Sequence, residues 1–78
     1  MRYRVIANES TAKGFALFGV ETVSVSEVQQ AKKAFEDALQ DQTLGAVIIS
    51  KDIASLLEEG VSIHEASCKL PQILVLDI

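Results

Sequence analysis

The chain has 78 residues, 49% of them hydrophobic and 23% charged, with a net charge of −4 at neutral pH. That composition fits one small globular domain and excludes a disordered or coiled-coil chain. No basic run exceeds Lys32-Lys33, which argues against a nucleic-acid footprint, and the longest apolar stretch, Leu44 to Ile49, is far short of the ~20 residues that span a bilayer.

The first apolar segment, Tyr3 to Ala7, is β-branched and aromatic and reads as a strand. Asn8, Glu9, Ser10 and Thr11 then suit a turn and a helix start, with a helix expected over Ala12 to Phe18 and Phe15 and Phe18 on one face. Gly19 is placed as its C-terminal stop. Val23 and Val25 alternate with Thr22, Ser24 and Ser26, the pattern of a half-exposed second strand. Ser26 and Gln29 have capping-box spacing ahead of the best amphipathic helix, in which Val28, Ala31, Phe35, Ala38 and Leu39 recur at helical spacing to about Gln42.

Leu44 to Ile49 is apolar almost throughout and reads as a strand buried on both faces. Lys51 to Glu59 reads as a third helix with Ile53, Leu56 and Leu57 inward and Gly60 closing it. Val61 to Lys69 reads either as its continuation or as a loop with a helical turn. Pro71 opens a last strand, Gln72 to Asp77, at a position where a missing N–H is tolerated.

This β-α-β-α-β-α-β order predicts an α/β fold: a small doubly wound parallel sheet of four strands in order 2-1-3-4, with helices on both faces. Residues 1–78 then form a single domain. Right-handed crossovers place the first helix on one face and the others opposite. The third strand (Ala46, Val47, Ile48, Ile49) and the fourth (Ile73, Leu74, Val75, Leu76) are apolar on both alternating sets. One set from each is therefore expected to face solvent or a partner beside the first helix. No lysine guards the fourth strand, an open edge.

Such a fold often binds nucleotides, but Gly14, Gly19, Gly45 and Gly60 form neither G-x-G-x-x-G nor a G-x-x-x-x-G-K-[ST] loop. Gly14 and Gly19 read as packing and capping residues. A phosphoacceptor receiver domain of the same fold needs acidic residues after the first strand and an aspartate at the end of the third, to hold Mg²⁺ and accept phosphate. The chain offers Asn8-Glu9 and a displaced Asp52, which suit helix N-termini better than a metal. His64 and Cys68 would share a helical face, but a metal needs three or four ligands and the only other candidates nearby are Glu58, Glu59 and Glu65, so they read as an ordinary histidine and a small buried thiol. The pairs Glu36-Asp37 and Glu58-Glu59 diverge around a helix and read as solvated surface. Cys68 is the single cysteine, so no internal disulfide is expected, and with no secretory signal the setting is cytoplasmic. No catalytic residue, metal or cofactor is expected.

Three stretches resemble the F subunit of the V-type and archaeal A-type rotary ATPases. Ala7-Asn8-Glu9-Ser10-Thr11-Ala12-Lys13-Gly14-Phe15-Ala16-Leu17-Phe18-Gly19-Val20 is similar to that family's strand-end turn followed by G-F-x-L-x-G-[VI]. Val47 to Ala54 is similar to its buried strand and helix start, and Leu70-Pro71-Gln72-Ile73-Leu74 to its proline-led last strand. The structural motif residues are thus Gly14, Phe15, Leu17, Gly19 and Pro71. Asn8 stands where the family often has an acidic residue and Ala7 where it often has glycine. The family usually continues into a C-terminal helix, whereas this chain stops at Ile78, so the resemblance covers the family's N-terminal domain and no role of that helix carries over.

The resemblance implies a non-catalytic component of the central rotor stalk, a peripheral part of a membrane-bound complex that couples ATP turnover to proton or sodium transport. Its implied partner is the coiled-coil D subunit of the same stalk, without nucleic acid and without membrane insertion. The expected partner surface is Ile73, Leu74, Val75 and Leu76, which would contact the coiled coil, a missing C-terminal helix or a second copy. Self-association of the isolated chain follows from the last of these. The alternative reading is a degenerate receiver-like regulatory or ligand-binding module, with its pocket at the strand ends near Asn8, Ser26, Ser50, Lys51 and Asp77.

Overall fold

A computed structural model describes residues 2–67 and 71–77. Cys68, the thiol of the His64–Cys68 pairing, and Leu70 lie outside these residues. The elements are β1 (Arg2–Ala7), α1 (Glu9–Ala16), β2 (Thr22–Ser24), α2 (Val28–Gln40), β3 (Leu44–Ser50), α3 (Lys51–Leu56), α4 (Glu58–Ser67) and β4 (Gln72–Leu76). The strands form one sheet in order β2-β1-β3-β4, and every pairing is parallel. That is the expected doubly wound α/β fold.

The two sides of the sheet bury separate clusters. Beneath α2, α3 and α4 lie Ile6, Val25, Phe35, Val47, Ile49 and their neighbours. The opposite side is thinner: Val5, Ala7 and Ala12 are buried, with Phe15, Val20 and Ile48 packed against them. β3 serves both sides, as its run of apolar residues predicts. Gly45 falls where the β1–β3 register shifts, between the pairs Arg2–Leu44 and Tyr3–Ala46. A residue without a side chain suits that irregularity.

Four local readings change. α1 begins at Glu9, not Ala12, because Asn8 caps it: the Thr11 N–H donates to Asn8 Oδ1 at 2.9 Å. α1 also ends at Ala16, so Phe18 leaves the helical face shared with Phe15 and is 86% exposed. The capping partner of Ser26 is Gln30 rather than Gln29. Both the Ser26 N–H and its hydroxyl donate to Gln30 Oε1 (2.8 and 2.9 Å), because α2 starts one residue later than a Ser26 cap requires.

The third helix breaks at Leu57 and not at Gly60. The Leu57 N–H bonds to Ala54 O at 3.0 Å and α4 follows directly. Ile53, Leu57 and Val61 recur one turn apart and are all buried, whereas Leu56 points away and is exposed. Gly60 lies within α4 against the Phe35 ring, where a Cβ would sit 3.2 Å from Cε2. Full burial of a side chain such as Phe35 contributes about 1.5–3 kcal/mol, so this contact helps hold α2 to α4.

Candidate interaction surface

The parallel registers align Val5, Ile48 and Leu74 in one row across the sheet. Side chains alternate along a strand, so this row shares a side with Tyr3, Ala46 and Leu76. It is the α1 side, since Val5 and Ile48 belong to the α1 cluster. α1 packs chiefly on β1 and β2. Among the described residues, no helix lies over β3 and β4 on this side. Ile48 and Leu76 are consequently half-buried, while Leu74 and Tyr3 are exposed. Leu17 and Phe18, in the turn after α1, are each 86% exposed.

β4 distributes its four apolar residues between both sides. Ile73 pairs with Val47 and packs on the larger cluster. Val75 pairs with Ile49 and lines an open trough of about 290 Å³ with Ala54, Ser55 and Val61. Although Val75 lies on the helix-covered side, it is 46% exposed. The expectation that only one of Val75 and Leu76 points outward is therefore corrected: β4 is the outermost strand, and α3 and α4 do not close over it.

Of the structural motif residues, Pro71 is fully buried, and His64 Nε2 lies 2.6 Å from its carbonyl oxygen. A carbonyl only accepts, so Nε2 carries the proton in this bond, which ties α4 to the start of β4. Gly19 has φ +78°, the left-handed conformation of a helix stop. Gly14 does not pack: nothing lies within 4 Å of where its Cβ would stand. Phe15 is half-buried and Leu17 is exposed.

At the C-terminal ends of the strands, Asn8 and Asp52 meet. Asn8 Nδ2 donates to Asp52 Oδ2 at 2.9 Å, and the Ser50 hydroxyl donates to Asp52 Oδ1 at 2.7 Å. These two bonds, Asn8's first, hold the Asp52 carboxyl below the usual carboxylate range. The carboxylate that a receiver-like reading would assign to chemistry therefore has each oxygen engaged by a neighbouring side chain. Lys51 Nζ lies 3.6 Å from Asp77 Oδ1. Ser26, the remaining strand-end residue, is occupied by Gln30 as described above.

The opposite end of the sheet carries a charge cluster that the linear pattern does not announce. Arg4 Nη2 lies 3.0 Å from Glu21 Oε1 and 3.3 Å from Asp41 Oδ2, and Arg2 Nη2 lies 2.8 Å from Glu21 Oε2. The Thr43 hydroxyl and N–H both donate to Asp41 Oδ1. The Glu21 carboxyl is lowered first by the hydrogen bond from Arg2 and then by that from Arg4, while Asp41 is lowered first by Thr43. The cluster pins the turn before β2 and the turn before β3 to the start of β1.

The fold defines a small doubly wound α/β module in which, among the described residues, one half of one sheet face carries no helix. The family model for the ATP synthase (F/14-kDa) subunit matches residues 4–77, and the chain belongs to that family. No curated protein matches it. Its fold is similar to the crystal structure of the V-type ATP synthase F subunit from Archaeoglobus fulgidus, with a TM-score of 0.79 and 20% identity. That similarity covers 97% of this chain and 96% of the archaeal one.

Proposed function

We propose that the chain is a non-catalytic component of the central stalk of a V-type or A-type rotary ATPase. It binds the coiled-coil D subunit and shares the shaft that couples ATP turnover to proton or sodium transport. Family membership supplies the complex; the observation that carries the docking role is the bare apolar half-face of Tyr3, Ile48, Leu74 and Leu76 beside α1. A surface of this kind on a small domain usually marks an association site. A coiled coil suits it because a long apolar seam can lie along the shelf between α1 and the β4 edge. The chain takes a peripheral place in the membrane-bound complex, and among the described residues no helix is long and apolar enough to cross a membrane.

Co-expression with the coiled-coil component of its own complex tests this reading. A stable one-to-one complex by size-exclusion chromatography with light scattering is the expected result. Failure to bind a folded coiled-coil partner would overturn it.

A further inference from the structure

We draw no further inference here: the strongest candidate, the groove between α2 and α4 lined in part by Phe35, Leu56, Gly60 and Ile63, carries nothing, because nothing in the structure shows what covers it.

Discussion

Asn8 and Asp52 are 44 positions apart, yet the Asn8 amide donates to the Asp52 carboxylate at 2.9 Å and joins the ends of β1 and β3. In a doubly wound fold this is the crevice where ligands enter. Here it holds a neutral donor and a single carboxylate, with Ser50 on the second oxygen. Asn8 has two structural tasks at this point: its oxygen caps α1 while its NH₂ group holds Asp52.

Asn8→Ala removes both bonds and should cost about 1–2 kcal/mol, the upper part of the range for loss of a cap. Asn8→Asp separates the two tasks. It keeps a capping oxygen but sets a second carboxylate against Asp52. Its melting temperature should be below wild type at pH 7 and should approach it as acid protonates one of the pair. A deficit that stayed constant with pH would show that the two groups do not face each other in solution.

The glycines of the first block should respond oppositely to alanine. Gly19 sits at φ +78°, so Gly19→Ala should destabilise by about 1–2 kcal/mol. Gly14 lies inside α1 with open space around it, so Gly14→Ala should stabilise by roughly 0.5–1 kcal/mol. In a domain of this size, 1 kcal/mol moves the melting temperature by roughly 4–8 °C, so thermal denaturation distinguishes them readily. Shifts of the same sign would contradict the assignment.

Phe35 is 5% exposed, and Phe35→Ala should cost about 3–5 kcal/mol, close to the whole stability of a small domain. Phe15 is only half-buried on the thin side of the sheet, so Phe15→Ala should cost distinctly less, about 1–3 kcal/mol. Urea denaturation gives the order. An equal or reversed order would mean that α1 packs more deeply than this.

Glu21, Asp41 and Asp52 all have carboxyls held below their ordinary values of 4.5, 3.8 and 3.8. A lowered folded-state value means that the stabilisation is complete above the ordinary pKa and is lost as pH falls through the lowered one. The melting temperature should therefore change little from pH 7 to about 5 and drop below about 4. Glu21→Gln should flatten part of that acid limb and remove the salt sensitivity that the exposed Arg2–Glu21 pair gives to stability. An acid limb unchanged in Glu21→Gln would exclude the cluster as its source.

What the linear chain reveals follows from how local each cause is. β3 is legible as a short, nearly continuous apolar run and α2 because its burial repeats at helical spacing, and the strand order follows from the handedness of crossovers. The break at Leu57 is not legible, because Leu56 and Leu57 are equally apolar and only the ridge through Ile53 and Val61 selects between them. Gly19 is legible as the stop of the first helix, and its left-handed backbone agrees, whereas the open space around Gly14 depends on how α1 sits on the sheet and is not legible. The Arg2, Arg4, Glu21 and Asp41 cluster joins turns far apart in the chain and leaves no periodic signal. The exposure of Leu17 and Phe18 depends on α1 stopping at Ala16, short of the left-handed Gly19.

The docking face can be tested against its own strand, because Val75 and Leu76 are adjacent, are each partly exposed, and lie on opposite sides of the sheet. Leu76 is on the bare side with Leu74 and Ile48. Val75 is on the side of α3 and α4, in the trough. If the coiled-coil partner lies on the bare side, Leu76→Lys should weaken its binding by about tenfold or more, as loss of an apolar anchor does. Val75→Lys should leave that affinity within a factor of about two or three, because a lysine at the trough mouth can extend its head into water. Both variants should keep the wild-type circular dichroism spectrum, since neither residue is fully buried. Calorimetric titration with the coiled-coil partner reads the difference directly. Equal losses would show that the partner grips the β4 edge and not the face. A loss confined to Val75→Lys would move the docking site to the helical side.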